Sequence, residues 1–323
     1  MRRVFPCVSV LLCAVLWAGS ATAQPIETVG ARAMGMGGAF VAVADDSSAT
    51  WWNPAALAAG PFVDVAIGWS KSEFRQDGER RGRVVPVAVS LSTPPFGASY
   101  YRFRITNIQS SGPTVTPSGG REDGRVGVVQ TLTVDDVGVT LLHSVFTGVH
   151  VGTTLKFLRG RVEHTSGLGS TPEGQFDADL GVLAAAGPWR VGAVVRNLRA
   201  AEFEAAGGGV KLPRQARVGV AFDGGAGRGS MAAWTVSADV DVATYATGTG
   251  DRRVVAAGAE RWLFGKRIGV RGGGRFNQVG HKERSATGGV SAAIRPGMFV
   301  EAHAVGGGSD DERGWGISAR VSF

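Results

Sequence analysis

The last ten residues of this chain, Gly314-Trp-Gly-Ile-Ser-Ala-Arg-Val-Ser-Phe323, alternate in character. Trp315, Ile317, Ala319, Val321 and Phe323 fall on one face of a strand; Gly314, Gly316, Ser318, Arg320 and Ser322 fall on the other. Side chains along a strand point to opposite sides in turn, so this pattern suits a wall with lipid on one side and a wet lumen on the other. It suits an amphipathic strand of a soluble sheet equally well. The opposite end of the chain has to separate the two.

Arg2 and Arg3, an apolar stretch from Val4 to Trp17 and the small residues Ala21-Thr22-Ala23 read as a secretory signal cleaved before Gln24. A membrane anchor fits less well, because the apolar run is short and broken by Pro6 and Ser9. Both cysteines, Cys7 and Cys13, lie in this segment, and Leu12 does not suit a lipoprotein site at Cys13. The expected mature chain of 323 − 23 = 300 residues then holds no disulfide, thiolate nucleophile or thiolate metal site.

Beyond residue 23 no apolar run approaches the roughly 18 residues of a spanning helix. A closed barrel is the other structure that satisfies every backbone group in hydrocarbon. The composition, with 50 glycines and with Val and Ala supplying most of the hydrophobicity, fits a barrel. The formal charge of +7, or +5 without Arg2 and Arg3, is spread over gaps and alternate strand positions. A nucleic-acid binder would cluster its bases, so that partner is not expected.

From Phe62 onward apolar alternation is broken by turn-rich gaps. Segments near 62–70, 84–92, 97–106, 128–144, 149–159, 175–186, 189–197, 215–222, 233–242, 253–264, 267–276, 286–295, 298–305 and 314–323 make 14 strands. Long polar gaps (71–83, 107–127, 160–174, 198–214, 243–252, 277–285, 306–313) take turns with mostly shorter ones such as 93–96, 187–188, 265–266 and 296–297. Short turns on one side and long loops on the other are the habit of bacterial barrels. The segment around 125–144 reads as one long strand; a hairpin at Asp135-Asp136 would spoil the even count.

Alternation also predicts the lumen. Asp64, Arg102, Arg104, Lys156, Asp177, Asp179, Arg196, Asp239, Asp241, Arg271, Arg275, Glu301 and His303 take the polar faces of their segments. Facing lipid at mid-depth, each Arg or Lys would cost about 2–4 kcal/mol. The expected role is a network of charges that pair with each other or with a plug, centred on Arg102, Arg104, Asp177, Asp179, Asp239, Asp241, Arg271 and Glu301.

Residues 24–61 do not read as wall. Gly35, Gly37 and Gly38 make a Gly-rich bend, an Ala/Val run follows Phe40, a short helix starts near Asp46 or Ser47, and Asn53-Pro54 makes a turn. No βαβ unit surrounds the glycines, so a phosphate loop is not indicated. The organisation expected is a signal peptide at 1–23, a plug at 24–61 and a barrel at 62–323.

The segment resembles the N-terminal hatch of the FadL-type outer-membrane transporters, and still more that of the related PorV/PorQ group. The likeness rests on Gly35–Phe40 (Gly-Met-Gly-Gly-Ala-Phe), Ala44–Asp46 and Trp52–Ala55. It continues at Val194–Leu198 with Leu212-Pro213 and Arg217–Phe222, and at Gly258–Leu263 with Val270–Gly273. The C-terminal strand, with Trp315 and Phe323, likewise resembles the closing strand that barrel-assembly machinery recognises. The resemblance implies an all-β transmembrane antiparallel barrel of about 14 strands, plugged by the hatch, in a bacterial outer membrane. It carries no cofactor.

Three functions stay open at this point. The FadL-type resemblance implies passive transport of hydrophobic small molecules, with Gly35, Gly37, Gly38, Phe40, Trp51, Trp52, Asn53 and Pro54 along the path. The same residues serve equally to shape the plug and wedge it against the wall. The PorV-like alternative is a secretion shuttle or surface anchor for exported proteins. An outer-membrane hydrolase is disfavoured: the five histidines show no metal-ligand spacing, and only Glu301 and His303 share a lumen face. Asp310-Asp311-Glu312-Arg313 reads as a solvated loop tip rather than a cation site.

Overall fold

The computed structural model describes residues 29–323 apart from 77–78, 111–126, 165–170, 204–209, 226–233, 248–249 and 309–310. The expected signal segment at 1–23 lies outside the described residues, as does Asp310. Seven strands come first: β1 (Asp64–Gln76), β2 (Glu79–Thr93), β3 (Phe96–Ser110), β4 (Gly127–Phe146), β5 (Val149–His164), β6 (Glu173–Ala186) and β7 (Trp189–Arg196). After a small hairpin of β8 (Glu202–Phe203) and β9 (Val210–Lys211), the wall continues in β10 (Gln215–Asp223) and β11 (Trp234–Asp241). A second hairpin of β12 (Tyr245–Thr247) and β13 (Gly250–Arg252) precedes the last five strands. These are β14 (Val254–Leu263), β15 (Ile268–Asn277), β16 (Arg284–Arg295), β17 (Met298–Gly307) and β18 (Arg313–Ser322).

Fourteen of these strands close an antiparallel barrel, and β18 completes it by pairing with β1 from Asp64↔Ser322 to Glu73↔Arg313. Closure leaves no unpaired edge, which is what a sheet in lipid requires. β4 is one strand of 20 residues with no turn at Asp135-Asp136.

The outer surface carries a band of exposed apolar side chains, among them Ile67, Val139, Leu155, Val191, Val290 and Ile317. Exposed aromatics mark its margins: Phe96, Phe146, Trp189, Phe264 and Phe323 at the short-turn rim, and Phe176 and Trp315 toward the other. Such girdles sit at membrane–water interfaces.

On β1 to β5 the alternation inverts partway up. On β4 the outward residues run Leu141, Val139, Val137 and then Asp135, Thr133, Thr131, while the inward ones run Thr140, Gly138, Asp136 and then Val134, Leu132. On β5, Leu155 and Phe157 face out below Arg159 and Arg161, and Leu158 and Val162 face in. The same exchange occurs on β3 between Tyr100 and Arg102. Below it the outward side chains are apolar and the inward ones small or polar; above it the outward side chains are polar and the inward ones apolar. The polar gap expected at 71–83 is therefore largely ladder, and the one expected at 160–174 begins and ends in ladder, at 160–164 and 173–174, because upper-strand residues with polar outward side chains look like loop in a search for apolar outward alternation.

This inversion corrects two lumen assignments. Arg102 and Arg104 are exposed on the outer face, and Tyr101, Phe103 and Ile105 between and beside them are buried inside. Arg102 pairs outside with Asp135 at 3.2 Å, to which the Tyr100 hydroxyl also donates at 2.6 Å. Asp64, Lys156, Asp177, Asp179, Arg196, Asp239, Asp241, Arg271, Arg275, Glu301 and His303 are buried.

Residues 29–61 fill the lumen. Short helices Ala31–Gly35 and Ala49–Trp52 and a 3₁₀ turn Pro54–Ala59 are joined by bends, two of them at the left-handed Gly37 (φ 72°) and Gly38 (φ 78°). The inner wall makes room with glycine. A Cβ on Gly192 would meet the Val41 carbonyl, one on Gly258 or Gly273 the Met36 backbone, and one on Gly152 the backbone of Pro54-Ala55. Gly258→Val should push the plug backbone away at a cost of about 1–3 kcal/mol, exposing it to protease while the barrel keeps its compact migration in unheated gels. Gly306→Val is the matched control, since nothing lies within 4 Å of its added Cβ.

Candidate functional site

The plug is held from both ends by buried polar groups. Arg32, in the first plug helix, donates to Glu260 of β14 from Nε (2.8 Å) and Nη2 (2.9 Å). Its remaining nitrogen reaches Asp45 and, at 3.2 Å, Asp46. Burial opposes the charge of both carboxylates in this Asp-Asp step. It prevails at Asp46, whose pKa rises; at Asp45 the guanidinium groups of Arg32 and Arg190 outweigh it and hold the pKa low.

Asp239 of β11 accepts from the backbone N–H groups of Phe40 (2.8 Å) and Val41 (2.9 Å), so this lumen carboxylate anchors the Ala/Val run. Asp64 accepts from the Ser47 N–H at 2.8 Å, and Ser237 and Thr287 donate to the carbonyls of Ala39 and Gly35. Asn53 takes a central position. Its Nδ2 donates to the carbonyls of Val41 (2.9 Å) and Val182 (3.0 Å), and its Oδ1 accepts from Ala55 N–H at 3.1 Å. One side chain thus joins plug to plug and plug to wall, while Pro54 starts the following turn.

The other lumen charges have distinct duties. Asp241 pairs with Arg217 at 2.7 Å, Asp179 with Lys156 at 2.8 Å, and Glu301 with Arg320 at 3.3 Å. Arg271 lies 3.6 Å from Glu260 and reaches the Ser291 hydroxyl. Asp177 and Asp179 accept from the backbone N–H groups of Arg199 (2.9 Å) and Asn197 (2.8 Å). They fasten the segment after β7 to the upper part of β6.

That segment takes the place of wall ladder beside β6. β6 pairs with β7 only over Leu180–Ala186, because β7 stops at Arg196 and Asn197 (φ 54°) turns the chain out of the wall. Above Leu180, β6 has β5 on one side and the 197–203 segment on the other, with Leu198 N–H donating to Ala178 at 3.0 Å. The segment then dips inward, burying Ala201 and Phe203; Phe203 lies where a side chain on Gly160 would go.

Above the plug lies a chamber with aromatic and aliphatic walls, into whose lining Asp136, Arg196, Asn197 and Gln215 also reach. Trp51 is its floor, with rings 5.2 Å from Tyr101 and 5.1 Å from Phe103, and Arg196 lies over its face at 5.0 Å. Val134, Leu158 and Leu212 complete its apolar lining, and Phe203 belongs to the same buried cluster. A cavity of about 10 Å³ remains, room for about one water. Trp51 Nε1 and Asp136 Oδ1 border this space and have no hydrogen-bond partner among the described residues. At the short-turn rim a separate cavity of about 410 Å³ is lined by Arg32, Asp45, Trp262, Phe299 and Arg320.

Of the path residues expected from the sequence, Trp51 borders the chamber, while Gly35, Gly37, Gly38, Phe40, Trp52, Asn53 and Pro54 lie in the body of the plug. Phe40 packs edge-on against Trp52 at 6.2 Å, and Trp52 donates to the Val29 carbonyl. Trp315 is outside, against Trp69 at 4.9 Å, and Phe323 is exposed at the rim. Sequence reasoning missed Arg32 with Glu260 and the inward Tyr101–Phe103 pair. A buried ion pair 228 residues apart has no local signal, whereas the inverted alternation of β3 was available to be read.

Comparison with solved structures follows this geometry. The chain is similar to CymD, a monoaromatic hydrocarbon channel, with a TM-score of 0.64 and 13% identity, covering 93% of this chain and 99% of that one. It is similar to the toluene transporter TodX of Pseudomonas putida (TM-score 0.61, 11% identity, 94% and 99% covered). A FadL homologue of Pseudomonas aeruginosa gives 0.57 and 9% identity, with 90% and 98% covered. At these identities the likeness defines the fold: a 14-stranded barrel of the FadL type. A family model described as the TraF protein of the F plasmid transfer operon matches residues 166–241, well under half of the chain. No curated protein matches.

Asn53→Ala removes three hydrogen bonds and leaves buried carbonyls of Val41 and Val182 with fewer partners. The loss should be about 1–3 kcal/mol. It should appear as faster hydrogen exchange in residues 39–57, with the exchange of the β14–β18 ladder unchanged.

Proposed function

We propose that this protein is an outer-membrane channel for passive passage of hydrophobic small molecules, with the long-loop rim facing outward. The observation that carries the reading is the apolar chamber on the plug. At the level where the outer wall turns charged, the lumen turns aromatic and aliphatic, the reverse of a water-filled pore. An apolar solute gains nothing from a charged lumen, but gains roughly 25 cal/mol for each Å² it buries in such a chamber.

The likeness in fold to hydrocarbon channels supports the same reading. The chamber is shut by its own side chains, so a solute enters by displacing Phe203 and Leu212, much as an apolar ligand takes over contacts already formed. The 197–203 segment beside β6 is the natural sideways route from chamber to bilayer, since there the ladder is interrupted. The plug blocks the straight way down to the cavity at the opposite rim, and its shift is the alternative route.

The second reading, a PorV-like shuttle for exported proteins, follows from the motif likeness of 35–55. It assigns no purpose to a largely apolar chamber inside the barrel, and we place it second.

Trp51→Ala should weaken binding of a monoaromatic probe such as toluene by about tenfold or more, judged from the roughly 1.5–3 kcal/mol that a large buried apolar contact contributes. Calorimetry on the purified barrel measures it; unchanged affinity would remove the chamber from the path. A disulfide between Ala178→Cys and Leu198→Cys should abolish probe uptake into liposomes under oxidising conditions and restore it on reduction. Uptake that ignores the lock would leave plug displacement as the route.

A further inference from the structure

The outer face of β3, β4 and β5 above the apolar band carries four arginines close together. Cross-strand register places Arg102, Asp135 and Arg159 in one row and Arg104, Thr133 and Arg161 in the next. Neighbouring strands lie about 4.8 Å apart and alternate residues about 6.7 Å along a strand. The four arginines therefore stand at the corners of a rectangle about 10 by 7 Å. All four are exposed.

The floor of this rectangle discriminates between its two rows. Asp135 already accepts from Arg102 and from Tyr100, so the lower row carries its own counter-charge. The upper row has a threonine in that place: Arg104 and Arg161 flank the short Thr133 side chain with a carboxylate in neither position of the row. Thr131, also short, continues the furrow upward, with Glu163 beside it on β5. Two guanidinium groups across a hydroxyl are a donor set for phosphate oxygens, since Arg presents paired N–H groups that match them.

What lies directly beneath decides the source of the phosphate. The next row down is Tyr100, Val137 and Phe157, followed by Leu155, Val139 and Leu141, all outward. An anion bound over Thr133 thus sits at the top of a strip of apolar side chains, in the order head group above acyl chains. Charge at this depth costs little, whereas the same arginines one turn of the ladder lower would face hydrocarbon.

We propose that the Arg102/Arg104/Arg159/Arg161 face holds the phosphorylated head group of a lipid of the surrounding leaflet, with its chains lying on the band below. The orientation of the leaflet rests on the channel reading; the binding itself does not. The site is specific in place: it belongs to β3–β5, on the side of the barrel that also walls the apolar chamber.

The test uses the full-length barrel in nanodiscs of phosphatidylcholine doped with bisphosphorylated lipid A, read by native mass spectrometry for retained lipid. Arg104→Gln with Arg161→Gln should lower retention by about tenfold or more, since each cation near an anionic surface contributes roughly a fivefold change in partition. The fourfold Gln variant should lower it further. Arg261→Gln with Arg313→Gln removes the same charge elsewhere on the barrel and should retain lipid like the parent. Heat-modifiable mobility in gels verifies that each variant is folded. Equal retention by the Arg104/Arg161 variant and the parent overturns the proposal. Probe uptake in the same variants stays at the parent level, which separates failure of this site from failure of the channel.

Discussion

Everything in this structure depends on the pairing of the C-terminal strand with the first. β1 and β18 exchange backbone bonds over ten residue pairs, and without them the sheet would present two edges to hydrocarbon. An unpaired backbone group there costs several kcal/mol, so an open sheet is not a state the chain can occupy in a membrane. Closure, however, creates a second problem. A 14-stranded ring is too wide for its own side chains to fill, and the chain fills it with residues 29–61.

The filling works because wall and plug are complementary in size and polarity. Inner-wall glycines accept plug backbone at contact distance, and buried carboxylates accept plug N–H groups. The charges involved are not a source of net stability by themselves, since removing an ion pair from water costs about as much as its attraction returns. Their effect is selective. Arg32 with Glu260, Asp45 and Asp46 is satisfied in the docked plug, and separating any partner leaves an uncompensated buried charge. This arrangement favours one docked position over a range of loose ones.

The architecture was legible in the sequence because lipid imposes a strict alternation, and the terminal strand, the number of strands and the short turns all follow from it. The plug was legible from its breaks in alternation at Gly35 to Gly38 and Asn53-Pro54. Legibility ended where the solvent outside changes. Above Tyr100, Val137 and Phe157 the outer wall faces water, so its polar residues resemble loop and its arginines resemble lumen. Arg102 and Arg104 were misassigned for that reason, and the inward place of Phe203 was not legible because nothing local marks a residue between strands that folds back into the barrel. Arg32 and Glu260 are a long-range pair that no spacing rule reaches.

The inversion also explains why the chamber lies where it does. A strand in the bilayer must turn apolar groups outward, which leaves small and polar residues for the lumen and favours a hydrogen-bonded plug. Once a strand rises above the bilayer, its apolar residues are free to turn inward. The upper barrel can therefore build an apolar interior that the lower barrel cannot. That interior has charged side chains outside the wall, a polar plug beneath it and an interruption of the ladder beside it, at β6. On the channel reading proposed above, that interruption is the sideways route, and the bonds of Asp177 and Asp179 to the 197–203 segment are what opening it would break.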